Sequence, residues 1–182
     1  MTYNNTKHST YDSTYDSTMK IQTKANGIFI VNVSKSPQHS VIVWFSHQIK
    51  MKCVTDTFCF CNLTYNPYSF KVNKISFHHL PFDDGTAPPS NILTEFESIL
   101  NSIMVNKKST DETSINLHCQ SGLGRAPAIM AYILLKYEKI DRIDAIEKIR
   151  NVRKGALNQK QLEWVETCKI NKDDTNCRCI IA

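Results

Sequence analysis

The stretch HCQSGLGR, residues 118–125, holds a cysteine and an arginine with five residues between them. It follows the apolar SINLHC and precedes APAIMAYILLKY, so it reads as a strand, a loop and a buried helix. A loop of this kind turns several backbone N–H groups into one concavity, and the helix adds the positive end of its dipole. The result is a cradle for phosphate or a similar oxyanion. Gly122 and Gly124 allow unusual backbone angles and close approach to the anion. Cys119, at the mouth of the cradle, sits in a positive field that favours the nucleophilic thiolate. Arg125 offers a planar fork to two equatorial phosphoryl oxygens. The spacing is explained if Cys119 attacks phosphorus and Arg125 holds the developing charge. The backbone of Gln120, Ser121, Gly122, Leu123 and Gly124 then binds the remaining phosphate oxygens, and His118 tunes the cysteine through hydrogen bonds.

Strands and helices alternate around this loop. Strands are expected at residues 27–33, 54–61, 74–81 and 114–119. Helices are expected at 40–50, where Ser40 is a plausible N-cap, and on the spacing of Ile92, Leu93, Phe96, Ile99, Leu100 and Ile103. Further helices are expected at 125–137, with Pro127 tolerated in the first turn, at 141–152, and from an Asn158 cap to about residue 168. DDGTAPPS, residues 83–90, is a loop, because glycine and two prolines continue neither kind of element. The fold class is α/β, a central, mostly parallel sheet flanked by helices.

The chain has 182 residues, 41% hydrophobic and 21% charged, with a net charge of +5. This suits one soluble domain, and the basic excess is compatible with phosphate or an acidic membrane face. Nucleic acid is not expected as a partner, since neither zinc-finger spacing nor a dense basic arm is present. Seven cysteines, an odd number, without a signal peptide argue for a reducing, cytosolic setting. A zinc site is not expected: Cys53, Cys59, Cys61, His78 and His79 lack a paired Cys-x2-Cys pattern, and the adjacent histidines point to opposite faces of a strand. The chemistry calls for no cofactor. Residues 1–24 contain the repeat STYDSTYDST and are read as a disordered low-complexity extension. Residues 25–168 form the domain and 169–182 a flexible tail.

HCQSGLGR matches the His-Cys-x5-Arg signature of cysteine-dependent protein tyrosine phosphatases. With LPFDDGTAPP and RKGALNQKQL, the chain resembles the phosphatases of regenerating liver, the type IVA group, over roughly residues 25–182. The resemblance implies a dual-specificity phosphatase fold and hydrolysis of phosphate monoesters, phosphotyrosine proteins above all, through a phosphocysteine. It implies a general acid on a mobile loop, at Asp84. Residue physics alone does not separate Asp84 from Asp83. One departure is Leu80, where the family carries tryptophan. Ala126 stands where most of the wider superfamily has a serine or threonine that assists breakdown of the intermediate, which implies slow turnover.

The resemblance further implies a reversible disulfide between Cys61 and Cys119, with Cys59 as competitor for Cys61's part. Tyr65 and Gln161 match family positions near the site, and packing roles suit both equally. Cys179-Ile180-Ile181-Ala182 fits a farnesylation motif, placing the protein on the cytoplasmic side of membranes. One lipid anchors weakly. Cys177 palmitoylation, or residues 136–154 with seven Lys/Arg against four Asp/Glu facing anionic lipid, would strengthen it. The family also binds CNNM-type magnesium transporters and forms trimers at membranes. A low-turnover regulator of such transporters and a phosphoinositide phosphatase are therefore alternatives to the protein phosphatase.

Overall fold

The computed structural model describes residues 16–22, 28–105 and 113–170. Five strands form one sheet: β1 (Asp16–Gln22), β2 (Ile28–Lys35), β3 (Val54–Cys59), β4 (Ser76–His79) and β5 (Thr113–Cys119), in the order β1-β2-β5-β3-β4. β2, β5, β3 and β4 run parallel, and β1 pairs antiparallel with β2. The helices are α1 (Ile42–Met51), α2 (Tyr68–Val72), α3 (Ser90–Val105), α4 (Arg125–Ile133), α5 (Arg142–Val152) and α6 (Gln159–Thr167). None of the described helices is long and apolar enough to cross a membrane.

β1 corrects one expectation. Its residues belong to the segment 1–24 that composition marks as disordered, yet they form an edge strand. An antiparallel edge needs ladder hydrogen bonds more than apolar side chains, so low hydrophobicity does not prevent pairing. Residues 1–15 and the tail cysteines Cys177 and Cys179 lie outside the described residues. Three local readings also change. α1 starts through a 3-10 turn at His39–Val41, so Ser40 lies inside the turn rather than capping it. The helix expected at 125–137 is α-helical only to Ile133 and continues as a π turn, Leu134–Glu138, before Lys139 turns left-handed. The short α2 has no counterpart in the expected elements.

β5 shows how the two sheet faces divide. Side chains alternate along a strand. Ile115, Leu117 and Cys119 join the main core with α3, α4, α5 and α6. Asn116 and His118 alternate with them, on the side where the rings of Phe45 and Tyr65 pack against His118. A second apolar cluster, Ile42, Phe45, Ile49, Val54, Tyr65, Phe70 and Ile75, closes that side.

The sheet interior is partly polar. Asn116 Nδ2 donates to Thr57 Oγ1 at 3.0 Å, Ser34 Oγ donates to Asn116 Oδ1 at 3.2 Å, and Asn32 Nδ2 donates to Ser114 Oγ at 3.2 Å. One asparagine therefore ties three parallel strands, two residues before His118. A one-residue slip would carry these groups into the apolar core, so the ladder fixes register. Asn116→Ala leaves Thr57 and Ser34 hydroxyls without their buried partner. We expect a loss of about 2 to 3 kcal/mol of stability in urea unfolding; a loss under about 0.5 kcal/mol would show that the ladder does not hold the sheet.

Candidate active site

The site lies at the carboxyl ends of the parallel strands, where α/β sheets commonly place their ligands. Register sets its members side by side: Lys35 lies opposite Cys119, and Cys59 opposite both His118 and His79. Ser36 N–H caps the Cys119 carbonyl at 2.7 Å, and Phe60 N–H caps that of His118 at 2.9 Å. β5 is thus held to its last residue. Cys119 is 1% exposed, at the base of the loop of residues 120–124 that ends on α4.

Two glycines in this loop do different work. Gly122 has φ +70°, and a Cβ there would lie 2.8 Å from the Ser34 carbonyl oxygen and 2.5 Å from Arg153 Nη2. Only glycine fits. Gly124 has an ordinary negative φ, and its lack of a side chain lets buried Gln161 come close, 3.1 Å from where a Cβ would stand. Ala126 is fully buried in the first turn of α4, followed by Pro127.

Arg153 was not singled out in the sequence. It enters from the end of α5 and lies buried under the loop. Its Nε donates to the Gly122 carbonyl at 2.6 Å and its Nη2 to the Ser121 carbonyl at 3.2 Å. Burial pushes the guanidinium down, and the charge of Cys119 pushes back. A cation amid RKGALN looks like a surface charge in sequence; only the docking of the Gly155–Leu157 turn reveals it. That turn is held by Arg150, which donates to the carbonyls of Ala156 and Leu157, and by Leu157 N–H to the Leu123 carbonyl at 2.8 Å.

Asp84 and Arg125 meet. Asp84 Oδ1 is 3.2 Å from Arg125 Nε, and Arg125 Nη1 donates to the Phe82 carbonyl at 2.9 Å. Arg125 is buried, while the Asp84 side chain is 72% exposed and accepts from the Gly85 N–H. Asp83 is exposed, and its backbone carbonyl accepts from Thr86. Of the two aspartates, Asp84 is the one in contact with Arg125. The N-terminus of α6 anchors the loop carrying Asp84: Asn158 donates to the Gly85 carbonyl and Gln161 to the Thr86 carbonyl, both at 3.0 Å. The same two side chains form the capping box of α6. A shallow pocket opens here, lined by Asp84, Ser121, Leu123, Gly124, Asn158 and Gln161. Leu80 is buried in the main core just before this loop.

Cys61 Sγ has the Cys59 sulfur 3.8 Å away, and Cys59, Cys61 and Cys119 are all buried free thiols. His118, fully buried, faces this pair, with Nε2 2.9 Å from the Tyr65 hydroxyl. Cys59 leans toward Cys61, so its thiol is pushed up by that hydrogen bond and by burial, and Cys61 is pulled down. Burial pushes His118 toward its neutral form. Cys59, Cys61 and His118 were not grouped from sequence, because His118 is distant in the chain. His78 instead pairs with Asp56 at 2.9 Å, and His79 with the Cys61 carbonyl at 3.0 Å.

Residues 11–168 match the family "Dual specificity phosphatase, catalytic domain". That is the class to which an α/β sheet ending in a Cys-x5-Arg loop belongs. Within it the chain belongs to the PRL, or type IVA, protein tyrosine phosphatases. It is 30% identical to "Protein tyrosine phosphatase PRL-1" of Leishmania major, over 86% of this chain and 91% of that one. It is 32% identical to "Protein tyrosine phosphatase type IVA 3" of Mus musculus, over 74% and 75%. The solved structure of a putative protein tyrosine phosphatase from Leishmania major superposes with a TM-score of 0.74 at 28% identity, covering 85% of this chain and 98% of that one. The enzyme is a protein tyrosine phosphatase acting on phosphoproteins.

The loop's shape depends on Gly122. Gly122→Ala should leave the protein folded by circular dichroism and lower kcat/KM on a small aryl phosphate by about a hundred-fold, the effect of displacing a reacting group by about 1 Å. Activity within about three-fold of wild type would mean that the Ser34 and Arg153 contacts do not set the loop.

Proposed function

We propose that Cys119 is the nucleophile, Arg125 and the 120–124 backbone the phosphate ligands, and Asp84 the general acid. The observation that carries the assignment is the approach of Asp84 to Arg125 at 3.2 Å, one element beyond the buried Cys119. This contact puts the exposed carboxyl at the rim of the cradle, from which it can reach a leaving oxygen. The Cys119 thiolate attacks phosphorus, forming S–P as the ester P–O bond breaks. The Asp84 proton goes to the departing phenolate oxygen. Water then attacks the phosphocysteine, Asp84 takes a proton from it, and phosphate leaves with the thiolate restored. Arg125 exchanges its contacts with Asp84 and the Phe82 carbonyl for two phosphoryl oxygens, and His118 supports the loop from the strand end.

The second step is proposed to be slow. Ala126 offers no hydroxyl where α4 meets the cradle, so nothing at that position assists loss of the thiolate from phosphorus.

Two variants test these roles. Asp84→Asn should lower kcat/KM on a phosphotyrosine peptide by about a hundred-fold, and far less on an aryl phosphate whose acidic phenol leaves unprotonated. Equal losses on both substrates would remove Asp84 from the role. Ala126→Ser should raise steady-state turnover while leaving the initial burst of phenol unchanged; an unchanged steady state would mean that hydrolysis of the intermediate is not limiting.

A further inference from the structure

We infer that Cys59, Cys61 and His118 form a binding site for a thiophilic divalent cation, of which zinc is the natural example, behind the phosphate cradle. The two sulfurs and one imidazole nitrogen lie within 4.8 Å of one another, and all three residues are buried. The sulfur separation is 3.8 Å. Two thiolates at about 2.3 Å from a tetrahedral zinc stand about 3.8 Å apart, so the pair needs no movement toward each other. Their placement follows from the fold. Cys59 is the last residue of β3 and Cys61 follows in the bend beyond it, which brings the sulfurs to 3.8 Å, and the parallel register sets Cys59 opposite His118.

The surroundings suit a metal better than an apolar core. His118 Nδ1 is buried without an oxygen or nitrogen partner, and the ring faces the Cys61 sulfur, the contact a shared metal would replace. Its Nε2 is taken by the Tyr65 hydroxyl. Nδ1 is thus the donor that this ring has left to give, and Nε2–H toward Tyr65 is the outer-sphere hydrogen bond that metal-bound histidines usually make. The Tyr65 hydroxyl also lies against the Cys59 thiol. The buried Ser36 hydroxyl stands beside Cys61 and can hold a water as the fourth ligand. Two thiols and a neutral imidazole take up one dication and release two protons to solvent; no oxidant or reductant enters. Asn62, Leu63 and Thr64, exposed immediately after Cys61, give the ion an edge to enter by.

The inference does not rest on the catalytic roles assigned above, and its test reads metal rather than turnover. The full chain, kept reduced with a phosphine, is titrated with zinc and separately with Co2+. Cys119→Ser, Cys177→Ser with Cys179→Ser, Cys59→Val and Cys61→Ser are compared, each checked for folding by circular dichroism. Wild type should bind one ion and gain thermal stability. The cobalt form should show thiolate charge-transfer bands with four-coordinate d–d absorption. Cys119→Ser and the tail double variant should behave as wild type, and Cys59→Val and Cys61→Ser should each weaken binding by at least about a hundred-fold. Loss of binding in Cys119→Ser or in the tail variant would place the ion elsewhere and overturn the proposal. So would full affinity in folded Cys59→Val and Cys61→Ser, or an absence of stoichiometric binding by wild type.

Discussion

The guanidinium of Arg153 under the catalytic loop is the contact on which the site depends. It takes the carbonyls of Ser121 and Gly122. In a trans peptide the next N–H points opposite to its carbonyl. Pinning these two carbonyls inward therefore turns the N–H groups of Gly122 and Leu123 to the other side of the loop. A loop that must bind an anion through its backbone needs such an anchor, because free carbonyls would otherwise repel the ligand. The anchor is a buried charge, expensive to place without partners. Its partners are the loop carbonyls and, through the field, Cys119.

A second economy lies at the start of α6. Asn158 and Gln161 cap the helix and also hold the backbone at Gly85 and Thr86, while Gln161 packs against Gly124. Helix cap, acid loop and phosphate loop are thus one hydrogen-bonded unit. With Arg125 facing Asp84 and donating to the Phe82 carbonyl, the loop carrying Asp84 reaches the first residue of α4. Binding of phosphate replaces one set of charge-assisted contacts by another, so the arginine is never buried without a counter-group.

The chemistry was legible from a short run of residues because its parts are local. A cysteine, two glycines and an arginine on one strand–loop–helix announce a phosphate cradle whatever surrounds them. The parallel sheet was legible because strands and helices alternate. What stayed hidden depends on contacts between distant segments. Arg153 reads as one more surface cation until α5 is docked. Cys59 and Cys61 read as core residues, and spacing along the chain offers them His78 and His79, whereas the fold brings them to His118. β1 stayed hidden for another reason: the repeat STYDSTYDST runs into its first residues, and its pairing comes from backbone hydrogen bonds along an open edge of β2. Gly122 carries the positive φ, and Gly124 also makes room for Gln161, a role visible only in packing.

A covalent phosphocysteine at Cys119 can be caught by mixing the enzyme with a phosphate-labelled phosphotyrosine peptide, quenching within the first turnover, and mapping the label by proteolysis and mass spectrometry. Label is expected on Cys119, accumulating because its hydrolysis is the slow step. Label on Cys61 or any other residue, or turnover with no covalent label during the burst, would contradict it.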